Sequence, residues 1–232
     1  MATISDRYKQ FYTHKRKIID ITNWELNLSA NELCKKYGWE GGMAYGNLIH
    51  DELNSYGPGV KEGDIVVDLG ANIGMSSLVA EKSKASKIYC VEPDIDCYEI
   101  LSLNKGSNWI LDNVAIGSSD GYTNIPIWPG TASRSVRCIT FDQYVAQHCF
   151  DRIDFLKVDI EGHEKTIFNN VSQSTWNKIR KIFIEYHENL NLSTEERAYE
   201  RFAFASKFCE RGFLEYEIRV GYYQSFIYIW KL

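Results

Sequence analysis

The feature that most limits the fold is a rhythm that begins near residue 61, where short apolar runs alternate with helical stretches. Seven runs have the length and composition of strands: DIVVDLG, KIYCVEPD, WILDNVAIG, IDFLKVDIEG, KIFIEYHE, FLEYEIRV and QSFIYIWKL. Strands that alternate with helices pair in parallel through right-handed crossovers. The last two runs have no helix between them, which predicts an antiparallel pair at the sheet edge. Residues 61–232 are therefore predicted to form one doubly wound, mostly parallel α/β sheet.

The connecting segments have the three-to-four spacing of apolar residues that is typical of amphipathic helices. Helices are predicted in GMSSLVAEKS, IDCYEILSLNKG, ITFDQYVAQHC, EKTIFNNV and STEERAYERFAFASKFCERG. The segment YTNIPIWPG carries a proline and a glycine near its end and is interpreted as a β-turn excursion between two elements.

The first 60 residues differ from the rest and are predicted to form a separate helical and loop extension. Ser29 and Glu32 have the spacing of a capping box, and GWEGGMAYG is a glycine-rich aromatic loop. The basic residues among 1–17 indicate either a solvated amphipathic helix or one that faces phosphates or a membrane. The aromatic residues of this extension are interpreted either as core or as a lid that stacks on a sugar: Tyr37, Trp39, Tyr45 and Tyr56.

Composition excludes several classes of protein. A hydrophobic content of 44% excludes disorder, and no run reaches the roughly 18 apolar residues of a membrane helix. The start of the chain lacks the apolar core of a secretory signal, and six scattered cysteines without a C-x-x-C pair are typical of free thiols. We therefore expect a cytoplasmic protein. The net charge of −5 leaves the predicted sheet acidic, which argues against a nucleic-acid partner.

A glycine turn follows the first predicted strand and indicates a ligand site. Asp68, Gly70, Asn72 and Gly74 lie between that strand and the next helix, where ligands bind in a doubly wound sheet. In the dinucleotide fingerprint G-x-G-x-x-G the second glycine lets the backbone approach a pyrophosphate, but here that position is Asn72. Asp68 repels phosphate and attracts an ammonium. The turn therefore favours a ligand with an amino-acid end and a nucleoside end.

An acidic pair strengthens this interpretation. Glu92 and Asp94 follow the second predicted strand, about where a dinucleotide-type fold places its ribose-binding acid. A carboxylate accepts from both ribose hydroxyls and repels a 2′-phosphate.

These residues carry a resemblance to a known family. VVDLGANIG, VEPD, DNVAIGSSDG, Thr140-Phe141-Asp142 and above all FLKVDIEGHE resemble the FkbM family of S-adenosylmethionine-dependent methyltransferases. The resemblance covers roughly residues 64–170. It implies the seven-stranded class I methyltransferase sheet, which is Rossmann-like and has one antiparallel strand near its C-terminus. It also implies S-adenosyl-L-methionine as the methyl donor, S-adenosyl-L-homocysteine as product, and O-methylation of a small-molecule or saccharide acceptor.

The resemblance also implies roles for individual residues. Asp68, Gly70, Asn72 and Gly74 would hold the methionine part of the cofactor, and Glu92, with Asp94 nearby, the ribose. Asp112 and Asn113, after the third predicted strand, would edge the adenine, although a plain turn is an equally simple reading.

The catalytic candidates lie in the FLKVDIEGHE segment. A hydroxyl is a poor nucleophile until a base takes its proton. Asp159 is predicted to be the central acceptor-side group, with Glu161 shaping the same corner and His163 as a further base. Lys157 either neutralises these carboxylates or packs its stem, and the ends of the fifth strand, Glu185 and His187, either extend the acceptor pocket or are simply exposed.

Two further questions stay open at the level of sequence. No metal is expected, but Asp159, Glu161 and Glu185 are the set that would hold a divalent cation if one bound. The other functional hypotheses are an NAD-dependent oxidoreductase on a similar sheet, against which Asn72 speaks, and a non-catalytic interaction module that retains the fold. The acceptor, the general base and the oligomeric state do not follow from the sequence.

Overall fold

The computed structural model describes residues 59–126, 132–220 and 224–231. The predicted extension, its capping box at Ser29 and its four aromatic residues lie almost entirely outside these ranges. No helix within them has both the length and the apolar run that a membrane span needs.

A seven-stranded sheet forms the frame, as the strand pattern predicts. Along the chain, its strands are β1 (Ile65–Leu69), β2 (Lys87–Val91), β3 (Trp109–Asp112), β7 (Phe155–Val158), β8 (Lys181–His187), β9 (Glu215–Val220) and β10 (Gln224–Trp230). Their spatial order is β3-β2-β1-β7-β8-β10-β9. Strand β10 pairs antiparallel with both β8 and β9, and the remaining pairs are parallel. The final strand thus inserts between β8 and β9, and so lies one position inside the sheet edge.

A second, three-stranded sheet corrects the sequence-based assignment of residues 115–140. Its strands are β4 (Ala115–Gly117), β5 (Gly121–Pro126) and β6 (Ser133–Thr140) in the order β4-β6-β5. The run WILDNVAIG is therefore two strands in different sheets, because the chain leaves the large sheet after Asp112. The segment expected to be a β-turn excursion contains β5, and β6 was not predicted.

The helices lie between the strands and cover both faces of the large sheet. They are α1 (Met75–Lys82), α2 (Ile95–Asn104), α3 (Phe141–Gln147), α4 (Glu164–Ile167), α5 (Gln173–Lys178) and α6 (Thr194–Cys209). Helix α3 begins later than predicted because Thr140 ends β6 and caps the helix through a capping box with Gln143. Helix α4 is a single turn, and α5 was not predicted. Ser193 and Glu196 form the capping box of α6.

Alternation along the central strands divides the core between the two faces of the sheet. Val67, Leu69, Leu156 and Val158 pack in the larger cluster, which also holds the buried aromatic residues Tyr144, Trp176, Phe204 and Phe208. Val66 and Phe155 face the other cluster, beneath α1. Asp68 and Lys157 share the face of Val66 and Phe155 because side chains two residues apart point the same way. Two opposite charges are thereby buried side by side in the sheet.

Candidate functional site

The carboxyl ends of five strands meet at one edge of the large sheet and bring the predicted site residues there. Asp68 lies near the end of β1, Glu92 follows β2, Asp112 ends β3, Asp159 follows β7 and His187 ends β8. Neighbouring parallel strands end at the same edge, so residues distant in sequence become neighbours. Two groups form here: the turn cluster, defined as Asp68, Gly70, Asn72 and Glu92, and the ion cluster, defined as Asp159, Glu161, Glu164 and His187.

Gly70 is required by the approach of two chain segments. Its φ is +77°, and a Cβ placed there would lie 1.7 Å from the carbonyl oxygen of Asp159. The backbone N–H of Asp159 also donates to the carbonyl of Leu69 at 3.0 Å. The glycine turn therefore packs directly against the backbone of Asp159, the residue predicted to act on the acceptor.

Glu92 joins the turn to the end of β2. Its Oε2 accepts from the backbone N–H of Asn72 at 2.8 Å, and its Oε1 accepts from the backbone N–H of Asp94 at 2.8 Å. Burial raises the pKa of Glu92 to about 7, and these two hydrogen bonds oppose the rise without cancelling it. Asn72 adopts a left-handed conformation with φ 49°, which asparagine tolerates better than most residues. The carboxylate of Glu92, which is predicted to bind the ribose, is therefore held in place by backbone N–H groups of the turn and of Asp94.

Lys157 links the turn cluster to the ion cluster. It lies opposite Asp68 in the β1–β7 register. Its Nζ donates to the carbonyl of Gly70 at 2.9 Å and to Asp159 Oδ2 at 3.2 Å, and lies 3.3 Å from Asp68 Oδ1. Burial opposes its charge, but the carboxylates of Asp159 and Asp68 raise its pKa. Of the two sequence interpretations, neutralisation of the carboxylates is the one that these contacts match.

Asp68 has one side-chain oxygen in a hydrogen bond and one in an ion pair. Ser77 Oγ donates to Oδ2 at 2.7 Å. Oδ1 is buried and accepts no hydrogen bond from the described residues, although Lys157 Nζ lies 3.3 Å away. This buried oxygen lies beside the glycine turn.

Gly74, Asp94, Asp112 and Asn113 all have structural contacts. A Cβ on Gly74 would lie 2.8 Å from the Trp109 ring. Asp94 caps α2 by accepting from the N–H groups of Asp96 and Cys97, and Arg134 reaches its other oxygen. Tyr144 donates to Asp112 Oδ2 at 3.0 Å, and Asn113 Nδ2 donates to the carbonyls of Glu92 and Pro93. Their predicted roles toward a cofactor stay predictions.

The ion cluster is assembled from the loop after β7 and the end of β8. One ligand atom each from Asp159, Glu161 and His187 lies within 4.8 Å of the other two. His187 Nε2 lies 3.3 Å from Glu161 Oε2, and His187 Nδ1 lies 3.0 Å from Glu164 Oε1. The Glu164 oxygen also accepts from the N–H of Gly162 at 2.9 Å. Asp159 and Glu161 are therefore brought together, as predicted.

The charge state of His187 follows from these contacts. Burial opposes a positive ring, but the Glu164 hydrogen bond and the charges of Glu164, Glu161 and Asp159 raise the pKa of His187 to about 9. Most of the Glu161 side chain is exposed, but partial desolvation of its carboxylate and the charge of Asp159 raise its pKa. The pKa of Glu164 is lowered, because the His187 and Gly162 hydrogen bonds outweigh its burial.

The sequence interpretation placed the histidine differently. His163 has an exposed side chain at the start of α4 and is not part of the group with close ligand atoms, which contains His187 instead. Glu164, 1% exposed, received no role from the sequence although it adjoins the predicted bases. The available signal for His187 was alternation in β8, which places it on the same face as Glu185.

The sheet order, with β10 antiparallel between β8 and β9, and an acidic glycine turn at the carboxyl edge define a class I methyltransferase domain. The family model for the methyltransferase FkbM domain matches residues 68–213, from the turn cluster to the segment before β9. That match covers more than half of the chain. This chain therefore belongs to the FkbM methyltransferase domain family.

Two relatives are consistent with this assignment. Methyltransferase sdnD of Sordaria araneosa is 28% identical to this chain, in a match that covers 53% of this chain and 66% of that protein. The crystal structure of methyltransferase FkbM from Methylobacillus flagellatus KT superposes with a TM-score of 0.52 and 17% identity, covering 72% of this chain and 44% of that one. The second likeness is a likeness of fold. The chain thus spans less than two thirds of each relative's own length.

Proposed function

We propose that this protein is an S-adenosylmethionine-dependent O-methyltransferase that acts on a hydroxyl of a sugar, glycan precursor or natural product. The observation that carries the proposal is the contact between the two clusters. Gly70 lies against Asp159, and Lys157 bridges Asp68 and Asp159. A donor held by the turn cluster and an acceptor at the ion cluster would therefore be neighbours.

The turn cluster fits this cofactor chemically. S-adenosylmethionine presents an ammonium, a sulfonium and two ribose hydroxyls, which are all cations or hydrogen-bond donors. The turn cluster offers acceptors, namely Asp68 Oδ1, which accepts no hydrogen bond from the described residues, and the carboxylate of Glu92. An NAD pyrophosphate would instead meet Asn72 and two acids. When bound, the cofactor supplies an electrophilic methyl group whose leaving group is a neutral thioether.

The chain's own residues then have two tasks. The enzyme must align the acceptor oxygen with the methyl group and exclude water, because a neutral leaving group needs no acid. Asp159 would take the proton of the acceptor hydroxyl as the oxygen–methyl bond forms. Its side chain is 25% exposed, so it faces both the protein and an incoming acceptor. Glu161, more exposed, would orient the same oxygen.

Cofactor binding is tested first. Isothermal titration calorimetry should give micromolar affinity for S-adenosylhomocysteine, and a thermal-shift comparison should show stabilisation by it but not by NAD. Stabilisation by NAD alone would favour the oxidoreductase hypothesis. Binding of neither ligand would rule out both enzymes and leave the interaction module.

Asp159→Ala and Asp159→Asn test the acceptor side. Each should keep the affinity for S-adenosylhomocysteine and lower kcat by about 100-fold or more, as loss of a general base does. Transfer of a labelled methyl group to a panel of monosaccharides, nucleotide sugars and polyketide alcohols measures the rate. Asp151→Asn, which alters an exposed carboxylate before β7, is the matched control. Full activity in both Asp159 variants would exclude this role.

A further inference from the structure

The ion cluster contains three side chains whose atoms could bind a metal ion. Hydrogen bonds within the cluster set the orientation of these atoms. Asp159, Glu161 and His187 offer two carboxylate oxygens and one imidazole nitrogen, all within 4.8 Å of one another. Asp159 and Glu161 come from one loop and His187 from the end of the neighbouring strand. Three atoms from two elements at this spacing can contact one ion of ordinary size.

The orientation of His187 is the second observation. Its Nδ1 lies 3.0 Å from Glu164 Oε1. Glu164 is 1% exposed and is itself fixed by the N–H groups of Gly162 and Ile160. A buried carboxylate that receives Nδ1–H fixes the ring and leaves Nε2 directed at Glu161. Histidines that bind metals almost always donate their other nitrogen in this way.

Charge at the cluster points in the same direction. Asp159 shares Lys157 with Asp68 and with the carbonyl of Gly70. His187 and Lys157 are cations whose charges act on Glu161. Because Glu164 holds the other side of His187, the negative charge exceeds what these two cations neutralise.

We propose that Asp159, Glu161 and His187 form a divalent cation site, with Glu164 as the positioning residue for His187. No metal is expected from the sequence, and the set named there in case one bound has Glu185 in the place of His187. Two oxygens and one nitrogen favour Mn²⁺ or Zn²⁺ over Ca²⁺, which prefers oxygen ligands. Three protein ligands leave coordination positions for water and for an acceptor oxygen.

The role of the ion toward the acceptor rests on the proposed function, but ion binding itself does not. An acceptor hydroxyl bound to the cation would lose its proton more readily. Asp159 would then bind the ion and also receive that proton. Binding of the ion and binding of S-adenosylhomocysteine are measured separately, so either proposal can fail while the other stands.

Mn²⁺ titration of the full chain, followed by electron paramagnetic resonance, tests the site. We expect one site per chain, weakened tenfold or more in His187→Gln and in Glu161→Gln. Glu164→Gln should weaken it by about 10- to 100-fold although that side chain does not touch the ion. Glu195→Gln, which removes an exposed carboxylate in the first turn of α6, should leave it unchanged. A circular dichroism spectrum and a urea midpoint close to those of the wild-type chain report that each variant is folded.

Three results would overturn the proposal. The first is the absence of a stoichiometric Mn²⁺ site in the wild-type chain. The second is a site of unchanged affinity in both His187→Gln and Glu161→Gln. The third is a His187 ring that remains protonated on both nitrogens in ¹⁵N NMR spectra with saturating Zn²⁺, which would show that a proton holds the cluster instead of an ion.

Discussion

The turn cluster and the ion cluster lie at the same sheet edge, but their acids Glu92 and Glu161 are held there in different ways. In the turn cluster, Asp68 and Glu92 are 1% and 7% exposed and accept from fixed partners, Ser77 Oγ and two backbone N–H groups. In the ion cluster, the Glu161 side chain is 72% exposed and contacts the ring of His187. Glu92 is therefore held by backbone N–H groups, whereas Glu161 is held by the ring of a side chain.

This difference suggests a division of labour. Backbone hydrogen bonds give a rigid shape, which suits a cofactor that is the same in every turnover. Side chains held by charge can change partners when an ion or an acceptor arrives. Lys157 contacts Asp68 in the turn cluster and Asp159 in the ion cluster, so it would transmit a change in one cluster to the other.

The largest expected effect tests the rigidity of the turn. Gly70→Ala should lower the free energy of unfolding by at least about 4 kcal/mol, because its Cβ would lie 1.7 Å from a backbone oxygen that cannot move aside. Gly212→Ala is the matched control: its φ is also positive at +89°, but nothing lies within 4 Å of the added Cβ. We expect it to cost only about 1–2 kcal/mol. Urea denaturation measures both free energies of unfolding. Equal losses in the two variants would show that the backbone of the turn moves to make room for the added Cβ.

The next effect tests the bridge between the clusters. Lys157→Met should destabilise the protein by about 3–5 kcal/mol, because it leaves buried carboxylates without their cation. Lys84→Met removes an exposed ion pair with Glu62 and should change stability by at most about 0.5 kcal/mol. Chemical denaturation gives both values. Equal stability of the two variants would show that the buried carboxylates of the two clusters do not need the charge of Lys157.

The smallest effect is a pH dependence of cofactor binding that comes from Glu92 in the turn cluster. With the pKa of Glu92 raised to about 7, roughly a tenth of the free protein carries the charged carboxylate at pH 6 and most of it at pH 8. If the charged form accepts from the ribose hydroxyls, S-adenosylhomocysteine should bind about tenfold more weakly at pH 6 than at pH 8. Calorimetry at both pH values measures this change.

Glu92→Gln is the control for that pH dependence. It should bind more weakly than the wild-type chain and show the same affinity at both pH values. A variant that kept the full tenfold change would place the titrating group elsewhere.

Much of the fold follows from local pattern. The seven strands of the large sheet and the antiparallel end of the chain are confirmed, because apolar runs and their helical spacers are properties of short segments. The small sheet was missed for the opposite reason. Strand β6 pairs with β4 in parallel and with β5 antiparallel, and its half-exposed sequence RSVRCIT has no pattern that identifies those partners.

The candidate site likewise has residues that local sequence identifies and contacts that only strand pairing creates. By itself the sequence determined the turn Asp68–Gly74, the acid Glu92 and the pair Asp159 and Glu161, since each is defined by its neighbours along the chain. Only the tertiary structure placed His187 beside Glu161, buried Glu164 behind it and set Lys157 between two carboxylates. Those contacts depend on β7 lying between β1 and β8 in one register. Strand pairing joins residues tens of positions apart, and local pattern carries no record of which strands become neighbours.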